Sequence, residues 1–192
     1  MTDIIKESFA ESLNVISDSV NLSDDIQKSS ETICRCLLNG NRVYLFGNGG
    51  SAADAQHIAA ELIGRYKLER NSIPAISLST DTSILTSISN DYSFDTIFSR
   101  QCEGLLNEKD VVIAISTSGN SQNVINGVTT AKKKNAIVIG LLGNDGGKLK
   151  EIVDIPLIVE SKSTARIQEA HRVIYHIICE LVEKEIATKG DT

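Results

Sequence analysis

His57 and Glu61 stand four residues apart. On a helix that is about one turn, so both side chains share a face. An imidazole and a carboxylate so placed can grip one metal ion, share a substrate, or form a plain surface pair. A second group, Gln168, His171 and His176, falls on a run with helical apolar spacing near the carboxyl end. With Ile174 at the centre of that apolar face, His171 lies about 60° away and His176 about 160° away. His171 therefore borders the core. His176 faces either water or a site shared with another element or subunit. Gln168 and His176 are about 80° and two turns apart, which lets both border one cavity.

Two loops have the composition of an anion site. The first is Gly47-Asn48-Gly49-Gly50-Ser51-Ala52. Its glycines admit positive φ and close backbone approach. Ser51 is expected to cap the next helix, whose first N–H groups suit an anion. Gly47, Gly49 and Ala52 also match the dinucleotide fingerprint, and a turn needed only for packing would look the same. The fingerprint wants an acid at the tip of the second strand. That strand ends Leu78-Ser79-Thr80, with Asp81 slightly beyond. The second loop, Ser116-Thr117-Ser118-Gly119-Asn120-Ser121, places four hydroxyls and a glycine in six residues. Hydroxyls, backbone N–H groups and a helix dipole can hold a phosphate without a lysine. No G-K-[ST] is present, so a phosphomonoester with a neutral body, such as a sugar phosphate, fits better than a nucleoside triphosphate. A serine-rich turn and helix cap is the plain alternative.

These residues need a scaffold. Five apolar runs have strand length: Arg42–Phe46, Ile73–Leu78, Asp110–Ile115, Ala136–Leu142 and Asp154–Val159. Most are continuous, as in parallel strands buried on both faces. Helical patterns separate them at Ala52–Tyr66, Ser83–Ile88, Phe94–Leu106, Asn123–Lys134 and Lys148–Ile152, and a last helix covers Thr164–Ile186. Two further helices fill the first forty residues, the second starting near Ser23. Alternation of this kind predicts a doubly wound α/β fold, a five-stranded parallel sheet flanked by helices, with an N-terminal helical extension. Ligands of such folds sit beyond the carboxyl ends of the strands. Pro74 and Pro156 are expected at edge strands or strand starts.

A chain of 192 residues makes about one domain. We read 1–40 as an extension suited to oligomerisation and 41–192 as the α/β core. The net charge of −6 argues against nucleic acid as a partner, and Lys132, Lys133 and Lys134 read as a solvated helix face. No apolar run reaches the length of a membrane span. Met1–Leu22 lacks a basic start followed by an apolar block, so no secretory signal is read. Cys34, Cys36, Cys102 and Cys179 form no C-x-x-C and read as reduced thiols of a cytoplasmic protein. The C-x-C pair would point its side chains about 200° apart on a helix.

The run from Phe46 through Ser51, then Asp54-Ala-Gln-His57 and Glu61-Leu-Ile-Gly-Arg65, resembles the phosphoheptose isomerases of the sugar isomerase (SIS) family. So do Asn90-Asp91, Phe98-Ser-Arg100, Ile115 through Ser121, and Arg166-Ile-Gln-Glu169 followed by His176. The resemblance implies an aldose–ketose isomerase that converts sedoheptulose 7-phosphate to D-glycero-D-manno-heptose 7-phosphate, feeding lipopolysaccharide, capsule or other glycoconjugates. It implies a homotetramer with active sites at subunit interfaces, and one Zn2+ per subunit on His57, Glu61, Gln168 and His176. Substrate contacts would fall on Asn48, Gly49, Gly50, Ser51, Glu61, Asn90, Asp91, Ser116, Thr117, Ser118, Ser121 and Gln168. Ala165 stands where family members often carry an Asp, which puts one site carboxylate in doubt.

Proton transfer between C1 and C2 through an enediol needs a base and groups that stabilise the enediolate oxygens. Glu61 is expected as the base and His176 as the group that moves oxygen protons. Ligating a metal and acting as a free base are competing tasks for Glu61. The alternative reading is a non-catalytic SIS protein that binds a replication initiator or senses a phosphosugar. A nicotinamide enzyme is the more distant rival.

Overall fold

Parallel strand pairing sets the architecture. The computed structural model describes residues 2–189. Strands β1 (Val43–Gly47), β2 (Ala75–Ser77), β3 (Val111–Ser116), β4 (Ile137–Gly143) and β5 (Ile155–Val159) form one sheet in the order β2-β1-β3-β4-β5. Every neighbouring pair is parallel, as at Gly47 opposite Ile115 and Ser116 opposite Leu142. The helices are α1 (Thr2–Asp18), α2 (Ser23–Leu38), α3 (Gly50–Ile63), α4 (Thr82–Asp91), α5 (Ile97–Leu105), α6 (Gln122–Lys133) and α7 (Thr164–Lys189). Pro74 directly precedes edge strand β2, and Pro156 lies in the other edge strand, where a missing N–H costs no ladder bond.

Side chains alternate between two cores because successive strand residues point to opposite faces. Val43, Leu45, Ile113, Ile115 and Leu141 pack with residues of α2, α3 and α7. Tyr44, Phe46, Val112, Ala114 and Val138 pack with α5 and α6, where Phe46 stacks on Phe98 at 4.8 Å. β1 and β3 are buried at every position, which explains their continuous apolar sequence. Asp110 and Asp154 tie strand starts together. Asp110 accepts from the Arg42 and Asn107 N–H groups, and Asp154 accepts from the Val138 N–H and pairs with Lys132.

Strand β2 is shorter than the sequence reading, α4 is longer, and Phe94–Leu106 splits into a 3-10 turn and α5; three further differences bear on the site. α3 starts at Gly50 after Gly49 turns with positive φ, so Ser51 lies inside the helix and is not its cap. α3 also stops at Ile63, because the Tyr66, Lys67 and Leu68 N–H groups turn to the Glu183 carboxylate. The Lys148–Ile152 stretch is a short 3-10 turn, Gly147–Glu151. All four cysteines are buried, and burial pushes the Cys36 thiol up to about 11 and those of Cys102 and Cys179 to about 12. Such thiols are poor metal ligands. Among the described residues no helix is long and apolar enough to cross a membrane.

α1 contributes no buried residue. Arg166 tethers it by donating to the Ser8 carbonyl at 2.6 Å and pairs with Glu169 at 2.7 Å. Ile4, Ile5, Phe9 and Leu13 remain exposed along it.

His171 is fully buried, with Nε2 at 2.9 Å from the Leu142 carbonyl. Burial pulls its pKa down to about 4. The unfolded chain binds this proton below about pH 6.5, while the folded chain resists it until about pH 4. Stability is therefore full above pH 6.5 and falls as pH drops toward 4, by up to about 3 kcal/mol. Urea unfolding of His171→Gln beside the parent is expected to show a flatter slope across that window.

Candidate active site

The glycine loop at the end of β1 joins two elements. Ser51 N–H donates to the Asn48 carbonyl at 2.9 Å, starting α3. A Cβ on Gly50 would lie 2.2 Å from Gln168 Nε2. The Gln168 amide reaches the loop from α7 and packs directly on Gly50. Asn48 and the buried Asn123 exchange two amide hydrogen bonds of 2.8 Å, locking the loop to the first turn of α6. Asn123 Oδ1 also accepts from the Val124 N–H. The sequence reading missed Asn123, although it sits two residues past the hydroxyl loop.

The hydroxyl loop Ser116–Ser121 lies beside it, since β3 pairs with β1. Ser116 and Ser121 hydroxyls are 3.3 Å apart, Ser116 buried and Ser118 exposed. The loop is held from below by the segment after β4. Asn144 donates to the Thr117 carbonyl, and the Leu149 N–H donates to the Gly119 carbonyl. Gly119 has φ +64°, and a Cβ there would strike the Gly146 carbonyl at 2.0 Å. Hydroxyls are thus fixed at the carboxyl ends of the strands, at the start of α6, where a phosphate gains most from the helix dipole.

α3 and α7 run side by side in the same direction. Gly50 meets Gln168, Asp54 meets Arg172, and His57 meets Tyr175. Each pair is 118 positions apart in sequence. The shared seam gathers His57, Glu61 and His176, whose ligating atoms all lie within 4.8 Å of one another. Burial, then neighbouring His57, lowers the His176 pKa and keeps its ring neutral. Gln168 stands two turns before His176 on α7, its amide on the glycine loop.

A buried relay orients His57. Tyr175 Oη lies 3.0 Å from His57 Nδ1 and 3.4 Å from Asp54 Oδ1, and accepts from Arg172 Nε at 3.1 Å. Burial, chiefly, raises the Tyr175 pKa to about 12, so the hydroxyl keeps its proton. Tyr175 donates that proton to Asp54 Oδ1, so its oxygen accepts one from His57 Nδ1–H. The Nε2 lone pair is then aimed at Glu61 Oε1, 3.0 Å away. Two electron-rich atoms so close require a proton or a metal ion between them. Two imidazoles and a carboxylate form a donor set suited to a transition metal with an open position, and the Tyr175–Asp54 relay supplies the outer hydrogen bond such a His needs.

Asn90 and Asp91 lie exposed at the end of α4, hydrogen-bonded to one another at 2.9 Å. Asp81 caps α4 through the Ile84 N–H, a local role that removes it from the dinucleotide reading.

Residues 7–143 match the family model described as SIS domain. A phosphoheptose isomerase of Sulfurimonas denitrificans is 50% identical over 99% of each chain, and one of Helicobacter hepaticus is 47% identical over 100% of this chain and 98% of its own. Among solved structures, a phosphoheptose isomerase from Neisseria gonorrhoeae superposes with a TM-score of 0.91 at 41% identity, covering 95% of this chain and 98% of that one. One from Francisella tularensis gives 0.92 at 35% identity with the same coverage.

Tyr175→Phe removes the acceptor that holds His57 Nδ1–H. Its affinity for a divalent metal, read by competition with a chromogenic chelator, is expected to fall about 10-fold or more.

Proposed function

This chain belongs to the SIS-domain family, among its phosphoheptose isomerases, and we propose how its residues interconvert sedoheptulose 7-phosphate and D-glycero-D-manno-heptose 7-phosphate. The observation that carries the reading is the meeting of His57, Glu61 and His176 on the α3–α7 seam. The reaction is an aldose–ketose isomerisation in heptose biosynthesis.

Ser116, Thr117, Ser118 and Ser121 hold the 7-phosphate with the first turn of α6. Asn48, Gly49, Gly50 and Ser51 line the adjoining wall, and Gln168 places its amide on the sugar hydroxyls. Asn90 and Asp91 complete the wall. Their exposure in one chain fits a site finished by a neighbouring subunit.

Glu61 takes the proton from C1 or C2, exchanges it with solvent and protonates the adjacent carbon. The cis-enediol is planar, so one carboxylate above one face reaches both carbons. His176, neutral by burial, exchanges protons with the two oxygens and can donate to the ring oxygen during opening. His57, fixed by Tyr175 and Asp54, keeps Nε2 on the Glu61 carboxylate and positions it through a shared proton or metal ion.

His57, Glu61 and His176 form a donor set that fits Zn2+ and would hold it, and the family resemblance adds Gln168 as a fourth ligand. When bound, the ion would polarise the carbonyl oxygen and order the site. The chain assembles as a homotetramer through the exposed apolar face of α1 in the 1–40 extension. It works in the cytoplasm, and its product supplies lipopolysaccharide or capsule.

Proton NMR of the protein with sedoheptulose 7-phosphate in heavy water is expected to show aldose signals with deuterium at C2. Glu61→Gln should lose this activity by about 100-fold or more while keeping its fold. Near-normal turnover in that variant would remove Glu61 as the base.

A further inference from the structure

The loop that follows α3 carries no strand or helix from residue 64 to 74, yet one side chain organises it. Glu183 of α7 is 1% exposed. Its Oε1 accepts from the Tyr66 N–H at 2.8 Å, and its Oε2 from those of Lys67 and Leu68 at 2.6 and 2.8 Å. Three successive N–H groups around one anion make a backbone nest, here closed by a protein carboxylate. Arg70 completes the arrangement. Its Nε lies 3.2 Å from Glu183 Oε1, and its other nitrogens donate to the carbonyls of Glu61, Gly64 and Asn71. The Glu61 and Gly64 carbonyls belong to the last turn of α3 and its end. Burial alone would raise the Glu183 pKa, but the three N–H groups and Arg70 outweigh it and hold the carboxyl ionised.

This clasp has a consequence at the reaction centre. Glu183 is seven residues beyond His176, two turns along the same face of α7. Anchoring the loop backbone there folds Tyr66 back over His176. The two rings stack, with centroids 5.6 Å apart and planes at 26°. Lys67 Nζ lies over the Tyr66 ring, 5.1 Å from its centroid, and is itself held by Glu180 at 2.7 Å. His176 thereby contacts the rings of Tyr66, His57 and Tyr175.

We propose that Glu183 is a positioning residue of the isomerase: by gathering the 66–68 backbone it seats Tyr66 on His176 and fixes the imidazole for proton transfer. Arg70 serves the same end by bracing the turn that carries Glu61. The inference rests on the role given to His176 above.

The test compares Glu183→Gln, Tyr66→Ala, Tyr66→Phe and the double variant Glu183→Gln/Tyr66→Ala. Tyr66 lies over His176, so the His176 ring resonances carry its ring current. That shift is expected to vanish in Tyr66→Ala and Glu183→Gln and to persist in Tyr66→Phe. The kcat for sedoheptulose 7-phosphate should fall about 10-fold or more in the first two, with KM within about two-fold. Tyr66→Phe should restore kcat, and the double variant should be no slower than either single one. A Glu183→Gln protein with a lower unfolding midpoint but unchanged kcat and His176 resonance would make Glu183 purely structural and overturn the proposal. Should Glu183→Gln fail to fold, Tyr66→Ala decides alone, and unchanged kcat in it overturns the proposal. Lack of turnover by the parent chain would instead sink the isomerase reading, while the ring-current comparison would still decide whether Glu183 seats Tyr66.

Discussion

Parallel, in-register packing of α3 against α7 is the constraint on which the site depends. Gly50–Gln168, Asp54–Arg172 and His57–Tyr175 repeat one sequence offset along the seam. A slip of one residue would turn each partner about 100° around its helix and scatter the cluster. Two features hold the register. Gly50 admits the Gln168 amide at one end, and the buried Glu183 carboxylate captures the chain leaving α3 at the other. Between these stops, His57, Glu61 and His176 converge without any of them sitting in a loop.

The strands supply the second half of the site by a different device. Loops after β1 and β3 lie side by side because those strands pair, and the Asn48–Asn123 amide exchange stitches them together. The segment after β4 supports the hydroxyl loop through Asn144 and Leu149. In the proposed function, phosphate recognition therefore rests on backbone and neutral side chains. That suits an acidic chain, which has little positive field to spend on its ligand.

Much of the fold was legible because its signals are local. Continuous apolar runs separated by 3.6-period helices require buried parallel strands, and the two prolines fall at the edges as their missing N–H groups demand. The placement of His171 against the core and His176 away from it followed from helical angle alone. The 117-residue reach from Tyr66 to Glu183 carries no such local mark. A lone Glu near the end of an amphipathic helix reads as surface, and α3 was accordingly extended to Tyr66. Likewise nothing in the sequence marks Tyr175, and only the packing of α7 on α3 reveals its hydroxyl between His57 and Asp54. Ser51 was misread as a cap because the positive φ of Gly49 starts the helix early.

The chain has only three histidines, and they test the central claim directly. A ring-proton NMR titration with sedoheptulose 7-phosphate should shift the His57 and His176 signals together on one saturation curve. The His171 signal, sealed against the Leu142 carbonyl, should stay still. Unmoved His57 and His176 signals under saturating, actively isomerised substrate would contradict the claim and place the reaction away from the α3–α7 seam.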